Sequence, residues 1–247
     1  MGGRAKLREY EEFDNNEEAQ RGVSHFPEQK LEITRVEKMK GRNARYIIYF
    51  GEYELSVLED VMIKYRMIKG NVFHKNELEE IIIADERQRA YVQGLRFLGR
   101  KARTRLEISK NLKEKEFTLP IIEEILTRLE QEGLIDDSLY AKEWTRQRIS
   151  NHRKGKLWVG QELRQKGIAK EDITEALGEI SVEEEWNSAL MVGRKKWNQI
   201  KGDLNEKKRK TYPFLMRRGY SGEVTRKVME ELVRENSEEE QEFDEYF

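Results

Sequence analysis

The sequence contains no cysteine in its 247 residues. This excludes disulfide bonds and thiolate metal sites, and it favours a reducing compartment such as the cytoplasm. No apolar run approaches the length of a membrane span, and Met1 to Glu18 is polar and acidic, unlike a basic start followed by an apolar segment. Hydrophobic residues make up only 37% of the chain, against 38% charged residues. We therefore predict a soluble, cytoplasmic protein with several small cores in place of one large core.

The chain also lacks a recognisable catalytic or metal-binding group. Its three histidines, His25, His74 and His152, are scattered, and the sequence has no glycine-rich phosphate loop. Asp136 and Asp137 are adjacent, so their side chains diverge on a helix, and no third ligand stands at a suitable spacing. Capping of a helix start is the favoured interpretation of this pair. We predict no enzymatic activity and no metal or cofactor.

A helical module is repeated three times between about Arg89 and Arg234. Leu112, Leu163 and Leu215 stand 51 and 52 residues apart, and an apolar residue follows each of them five positions later. Repetition at a fixed period indicates a tandem array. We predict a mainly α protein in which three tandem three-helix repeats, similar to helix-turn-helix units, form an elongated curved array. The further positions that share this spacing are Phe117, Ile168 and Tyr220, then Leu126, Leu177 and Met229, then Leu129, Ile180 and Leu232.

The segment before the repeats has a different pattern. Residues 31–85 contain three short strand-like segments joined by tight turns, which predicts a β-meander within a small α+β module. The stretch from Val61 to Ile68 is interpreted as either a short helix ended by Gly70 or a further strand, and the helix is favoured. Lys75 to Ala84 has the spacing of a helix. The boundaries that we predict are a disordered N-terminus at 1–30, the α+β module at 31–85, repeats at 86–134, 135–180 and 181–234, and an acidic tail at 235–247.

Glycine ends the second helix in two of the three repeats. Gly167 and Gly219 stand where the chain must turn sharply into the third helix, and glycine suits the left-handed conformation of such a turn. The first repeat has Glu116 at this position, where that conformation would cost about 1 kcal/mol. We therefore expect a slightly different turn in the first repeat.

Two helix starts show the pattern of a capping box. Thr104 is followed by Glu107 and Ser181 by Glu184, so each pair can satisfy two backbone N–H groups that would otherwise have no partner. These pairs predict the start of the second helix in repeat one and of the first helix in repeat three.

Basic residues recur early in each repeat, although the formal net charge is only −1. Acidic residues are concentrated elsewhere, in 9–18, 171–185 and 235–245. Blocks of one sign create local fields that favour a polyanionic partner, and the alternative is a set of solvated helix faces. Trp158 flanks the second basic block and is a candidate for stacking on bases, whereas Trp144 and Trp186 fall on apolar stripes and are predicted to be core residues. The predicted DNA-contacting residues are expected in or beside the turns that precede each second helix. They are Arg100, Lys101, Arg103 and Arg105 in repeat one, Arg153, Lys154 and Lys156 in repeat two, and Lys207, Lys208, Arg209 and Lys210 in repeat three.

Three segments of the chain resemble the RecX regulatory protein family. They are LRFLGRKARTRLEI at 95–108, GLIDDSLYA at 133–141 and ELRQKGI at 162–168, and they occur in the expected order and at the expected separations. The resemblance covers about residues 86–234, and the β-containing N-terminal region is similar to an extension of some bacterial members. The chain departs from the family in that Glu116 replaces the usual glycine, Ala102 stands where proline is common, and the third repeat is the loosest match.

This resemblance implies a modulator of RecA, the bacterial recombinase that polymerises on single-stranded DNA. Family members are arrays of three-helix repeats that lie in the groove of the RecA–DNA filament, where they oppose filament growth or promote disassembly and lower ATPase and strand-exchange activity. They also bind DNA directly. For this chain, the resemblance implies RecA, its nucleoprotein filament, and single- and double-stranded DNA as partners of a monomer that acts in DNA repair, homologous recombination and the SOS response.

Two other classes of function are compatible with parts of the sequence. Three-helix repeats with basic helices also occur in sequence-specific helix-turn-helix regulators. In this chain, however, the basic residues are dispersed over three modules, and no helix presents a compact set of arginine, asparagine and glutamine for base recognition. A nuclease is remote because the chain has no catalytic constellation.

Overall fold

The computed structural model describes residues 23–40 and 44–245, in which there are ten α-helices and five strands. These residues form two compact units: the residues up to Arg96 together with Leu112–Ile125, and Phe97–Asn111 together with the residues from Leu126 onward. Within the described residues, no helix has both the length and the apolar character that a membrane span requires.

The first unit contains the predicted β-meander. Its three central strands, β2 (Arg35–Lys38), β3 (Arg45–Phe50) and β4 (Tyr53–Leu58), pair antiparallel in chain order, while β1 (Leu31–Glu32) pairs antiparallel with β5 (Val72–Phe73). The meander and the short helix that follows it confirm the sequence predictions for this segment. In chain order, the elements are β1 (Leu31–Glu32), β2 (Arg35–Lys38), β3 (Arg45–Phe50), β4 (Tyr53–Leu58), α1 (Glu59–Lys64), β5 (Val72–Phe73) and α2 (Lys75–Leu98).

The predicted disorder does not extend through residue 30. Residues 1–22 lie outside the described part of the chain, but Val23–His25 forms a 3-10 helix. The side chains of Val23 and Phe26 are 2% and 4% exposed and belong to the core of this unit, where the Phe26 ring meets the edge of Phe50 with 5.9 Å between centroids. Two large apolar side chains therefore anchor a segment whose mixed charge had indicated disorder.

A single helix, α2, runs through the predicted boundary between residues 85 and 86. The helix predicted at Lys75 to Ala84 therefore continues past Asp85 into the first helix of repeat one. In the structure the Asp85 carboxylate is buried, accepts a hydrogen bond of 2.6 Å from the backbone N–H of Leu58, and forms ion pairs with Arg45 and Arg89. Because these partners satisfy the buried charge, the helix continues without a break.

The three-helix organisation of the repeats is confirmed. The first repeat comprises the end of α2 followed by α3 and α4, and each later repeat has three helices of its own. The helices are α3 (Arg105–Glu114), α4 (Leu119–Gln131), α5 (Asp137–Ser150), α6 (Lys156–Gln165), α7 (Lys170–Gly178), α8 (Val182–Asn198), α9 (Leu204–Arg217) and α10 (Gly222–Glu245).

Separate small cores hold the second and third repeats together. Leu163 and Leu215, the residues that defined the repeat spacing, are fully buried in these two cores, and the equivalent Leu112 is also fully buried. Trp144 and Trp186 pack against the cores of repeats two and three as partly buried side chains, as predicted. The spacing of apolar residues along the chain therefore identified the buried leucines of the second helices correctly, whereas Phe117 and Leu177, which share it, are only partly buried.

The second helix of every repeat ends in the same turn. The residue at the turn has φ 64° at Glu116, 80° at Gly167 and 85° at Gly219. In each copy the next residue donates its backbone N–H to the carbonyl of the leucine that defines the repeat spacing, as in the bond of 3.3 Å from Phe117 to Leu112. This is the Schellman arrangement of a helix end. The expectation of a different turn in the first repeat is therefore wrong, because Glu116 adopts the left-handed conformation.

The predicted helix caps are present. The backbone N–H of Glu107 donates to the Thr104 hydroxyl, and the Glu107 carboxylate accepts from the backbone N–H of Thr104. The pair of Ser181 and Glu184 forms the same reciprocal box at the start of α8. Asp136 caps α5 by accepting a bond of 2.8 Å from the backbone N–H of Leu139, which is the capping role preferred for it over metal binding.

Candidate nucleic-acid interface

Two joints of similar design connect the second helices within the second unit. In the first joint, the turn Lys166–Gly167 after α6 meets the start of α3 at Thr104–Glu107. In the second joint, the turn Arg218–Gly219 after α9 meets the start of α6 at Gly155–Trp158. The candidate interface lies at the second joint, and its chemistry is clearest by comparison with the first.

The first joint is electrically balanced. The Thr104 hydroxyl donates to the carbonyl oxygen of Lys166 at 2.8 Å, and the Lys166 ammonium donates to the Glu107 carboxylate at 2.7 Å. Partial burial alone would raise the pKa of Glu107, but the hydrogen bonds from Lys166 and Thr104 outweigh it and hold that pKa below its usual value. Gly167 has no space for a side chain, because a Cβ there would lie 2.6 Å from the Cβ of Leu106.

At the second joint, backbone carbonyl groups accept hydrogen bonds from N–H groups at the N-terminus of α6. The N–H of Gly155 donates to the Arg218 carbonyl at 2.9 Å, and the N–H of Leu157 donates to the Gly219 carbonyl at 3.1 Å. A Cβ on Gly219 would lie 2.4 Å from both the backbone nitrogen and the Cβ of Trp158. Since these N–H groups have partners, the start of α6 is not an open anion site, and any anion must be bound by side chains.

Arg218 holds the loop between α5 and α6 in place. Its Nε donates to the carbonyl of Arg153 at 3.0 Å, and its terminal nitrogen donates to the carbonyl of His152 at 2.6 Å. The Tyr220 hydroxyl donates to the same Arg153 carbonyl at 2.9 Å. Arg153 has a positive φ of 52°, so these bonds stabilise a loop conformation that is unfavourable for a residue with a side chain.

Positive charge at the second joint is not neutralised by a direct ion pair as it is at the first, although Glu162 lies near enough to act on Lys154. The Lys154 ammonium lies 3.7 Å from the centroid of the Trp158 ring. Partial burial, with the charge of Arg218 as the next cause, lowers the pKa of Lys154. Within the described part of the chain, neither Lys154 nor Arg218 forms an ion pair with a carboxylate. The residue that corresponds to Glu107 of the first joint is Trp158, which carries no charge.

The predicted cluster of repeat one is only partly available to a ligand. Arg100 and Lys101 are exposed in the loop between α2 and α3, as predicted. The Arg103 guanidinium lies 4.0 Å from the centroid of the Phe97 ring. Arg105 begins α3 and forms an ion pair of 2.7 Å with Glu130.

The predicted cluster of repeat two also divides. Arg153 and Lys154 lie in the loop before α6, as predicted. Lys156, the first residue of α6, donates its ammonium to the carbonyl of Ile180 at 2.7 Å and its backbone N–H to Glu185 at 3.1 Å. These bonds give Lys156 a structural role.

The predicted cluster of repeat three does not lie in a turn before the second helix, because all four residues belong to α9 itself. Lys207 donates to the side-chain oxygen of Asn236 at 2.8 Å, and Lys210 forms an ion pair of 2.6 Å with Glu206. Lys208 is half-buried and Arg209 is exposed.

A second group of aromatic and basic residues was not identified from the sequence. Trp144 donates its indole N–H to Glu162, and the Arg148 Nε donates to the same carboxylate oxygen, both at 3.0 Å. The Arg148 guanidinium lies 4.0 Å from the Trp144 ring centroid, and Tyr140 stacks on Trp144 with 5.6 Å between centroids. Tyr140, Trp144 and Arg148 are spaced four residues apart on α5, and this spacing is the signal that would have found them.

Comparisons with known proteins agree with the three-repeat organisation. Models of the first, second and third three-helix domains of RecX match residues 90–129, 136–177 and 183–229. A Regulatory protein RecX from Limosilactobacillus reuteri (strain DSM 20016) is 33% identical over 203 residues, which cover 81% of this chain and 76% of that protein. Another from Bacillus thuringiensis (strain Al Hakam) is 34% identical over 215 residues, which cover 85% of this chain and 80% of that protein.

Solved structures give the same result. A crystal structure of regulatory protein RecX is 31% identical, with a TM-score of 0.65, and the match covers 81% of this chain and 99% of that one. RecX from Lactobacillus salivarius, at 24% identity and a TM-score of 0.58 over 61% of this chain and 98% of that one, supports the fold alone. Together with the three-helix repeats of the structure, these matches define a regulatory protein built from tandem three-helix domains. The chain belongs to the RecX family, which is not a known enzyme family.

Proposed function

We propose that this protein regulates the RecA recombinase by binding RecA and its filaments on DNA, with inhibition of ATP hydrolysis and strand exchange as the main effect. Membership of the RecX family over four-fifths of the chain carries this proposal. Such a role belongs in the cytoplasm, and the absence of cysteine agrees with it.

We propose further that the protein binds DNA without regard to sequence. The unbalanced cations of the second joint, Lys154 and Arg218, support binding to phosphate, which is common to all sequences. Six of the predicted DNA-contacting residues have exposed or partly exposed side chains that form no ion pair with a carboxylate of the described residues. In this proposal they form the principal contact set: Arg100, Lys101, Arg153, Lys154, Lys208 and Arg209.

The structure gives no support to base recognition by a helix-turn-helix mode. Such proteins insert the N-terminal part of a recognition helix into the major groove. The starts of α3 and α6 are occupied by the two joints. The first turns of α7 and α10 carry Glu171, Asp172 and Glu223, whose charge disfavours an approach to phosphate.

The regulatory proposal is tested by titrating the protein into RecA that is hydrolysing ATP on single-stranded DNA. We expect the rate to fall progressively, and an unchanged rate at saturating protein would contradict a direct inhibitory role. The DNA-binding proposal is tested separately with random-sequence DNA in the absence of RecA. Similar affinity for unrelated sequences is expected, whereas one strongly preferred site would support a sequence-specific regulator.

A further inference from the structure

We propose that the second joint binds an unpaired base of a single-stranded nucleic acid. The base would stack on the face of Trp158 opposite Lys154, and the Lys154 ammonium, which lies over the other face, would bind the adjoining phosphate. This inference rests on the proposed DNA binding and assigns it a residue and a strand preference. It does not depend on the regulation of RecA.

Trp158 differs from the residue at the equivalent position of the first joint. The residue five positions before the repeat leucine is Glu107 in α3 and Trp158 in α6, and in α9, which begins one turn earlier, it is Lys210. Glutamate in the first turn is favourable because it complements the helix dipole and can bond to the capping residue. In the middle repeat this stabilising residue is replaced by an indole that is 38% exposed. The exposed part of this indole is available for contact with a ligand.

The position of Trp158 is fixed at its base. Its backbone nitrogen and Cβ lie against Gly219, while Leu157 beside it is hydrogen-bonded through its N–H to the Gly219 carbonyl. The indole therefore projects from a backbone that the neighbouring repeat holds in place. A platform that is already ordered loses little conformational entropy when a base stacks on it.

The charge around the indole complements a nucleic-acid strand. Lys154 lies 3.7 Å from the ring centroid and forms no ion pair in the described part of the chain. Its burial lowers its pKa, so a nearby phosphate would relieve an unfavourable environment for the ammonium. The first joint has no comparable property because Glu107 neutralises Lys166 there. These observations confine the proposed site to the second joint.

Strand preference follows from the stacking. The faces of unpaired bases are accessible, whereas those in a duplex are covered by their neighbours, and stacking on an aromatic side chain tolerates any base. Trp158 should therefore strengthen the binding of single strands of any sequence and leave the binding of duplexes unchanged.

The test compares three ligands that have the same number of phosphates per strand: a dT oligomer, an abasic oligomer and a duplex. Trp158→Leu removes the aromatic face but keeps the backbone and Cβ that contact Gly219. Trp158→Phe retains an aromatic ring. Tyr212→Leu on α9 is the matched control, since it removes another exposed aromatic side chain. Thermal melting of each variant establishes that the fold is retained.

We expect Trp158→Leu to weaken dT binding by about 5- to 150-fold, the range that corresponds to the loss of one stacked base. Its affinity for the abasic oligomer and for the duplex should stay that of the parent, and Trp158→Phe and Tyr212→Leu should bind dT nearly normally. Equal affinity of Trp158→Leu and the parent for dT overturns the inference, and so does an equal loss for all three ligands. If the parent protein does not inhibit RecA but loses its dT preference on Trp158→Leu, the regulatory proposal fails and this one stands.

Discussion

Three residues at equivalent positions share one backbone conformation but have different surroundings. Glu116, Gly167 and Gly219 are all left-handed. The two glycines face backbone or side-chain atoms of the preceding second helix at distances that exclude a Cβ, whereas Glu116 is exposed. Glycine at 167 and 219 is therefore favoured both by the left-handed turn and by the lack of space for a Cβ at the joint. At residue 116 only the left-handed turn favours glycine.

Opposite substitutions at two of these positions should change stability in opposite directions. Glu116→Gly should raise the free energy of unfolding by roughly 0.5–1 kcal/mol, because it relieves the left-handed strain of a residue with a side chain. Gly219→Ala should lower it by roughly 1–3 kcal/mol, because the new methyl group adds overlap with Trp158 to that strain. Chemical denaturation of both variants provides the measurement. A neutral Gly219→Ala would mean that the second joint is not packed as described.

The first joint should respond to acid through Glu107. Its hydrogen bonds to Lys166 and Thr104 hold its folded pKa below the usual value, so its stabilising effect is complete above that value and is lost as the pH falls through the folded pKa. Since the usual pKa of glutamate is about 4.3, the loss should occur at and below about pH 4. Glu107→Gln has no such titration. The parent should therefore lose more stability than Glu107→Gln when denaturation is repeated between about pH 6 and pH 3, and parallel curves would show that the ion pair contributes nothing.

At the level of the helices, the fully buried leucines of the second helices are the most sensitive positions. Leu163→Ala should destabilise the protein by roughly 2–5 kcal/mol, since its side chain is 0% exposed and its removal leaves a cavity in a small core. Leu157→Ala, six residues earlier on the exposed side of the same helix, is the matched control and should cost far less. Equal melting temperatures for the parent and Leu163→Ala would contradict the assignment of this core.

Most helices were predictable because their apolar residues recur at the helical period, as Ile122, Ile125 and Leu129 do in α4. The length of α2 could not be predicted in this way, because the charged residue Asp85 interrupts its apolar stripe. The partner that satisfies this charge, Arg45, lies on a strand and is forty residues away in the sequence. Phe26 was missed for a related reason. Its aromatic partner Phe50 belongs to β3, and nothing near Phe26 in the sequence indicates that contact.

At the scale of the whole molecule, the DNA contacts should be visible in the salt dependence of binding. Each phosphate contact contributes about 0.7 to the slope of log affinity against log salt for a single strand. The double variant Arg153→Gln, Lys154→Gln should therefore flatten the slope by about 1.4 and weaken binding to all sequences alike. Affinity measured between low and moderate salt tests this expectation, and an unchanged slope would remove the second joint from the interface.

Lys156→Gln is the control for that experiment. It removes a neighbouring positive charge, but its ammonium is bonded to the Ile180 carbonyl. We expect lower stability, by about 1 kcal/mol, with a smaller change in slope than Lys154→Gln alone produces. A larger change in slope would show that the Ile180 bond opens when DNA binds.

The candidate site could be predicted from the sequence only in outline. Clusters of lysine and arginine are visible as charge, so Arg153 and Lys154 were identified correctly as loop residues. Their neighbour Arg218 was not, because its bonds to the loop join residues that are 65 and 66 positions apart. For the same reason, the sequence could not separate Lys156, which is held by Ile180, from the other cations of its cluster.

The second joint also has a consequence for the order of events during synthesis. The first turn of α6 relies on carbonyl groups of Arg218 and Gly219 for its N–H partners. On the ribosome, those carbonyls follow the loop at Arg153 by 65 positions, a delay of roughly 3–13 s at usual elongation rates. During that interval the middle domain must exist with an unfinished helix start. Repeat two therefore cannot complete its fold until repeat three has been synthesised. A nascent chain arrested between these two repeats should be bound by chaperones and cleaved by proteases more readily than the complete chain.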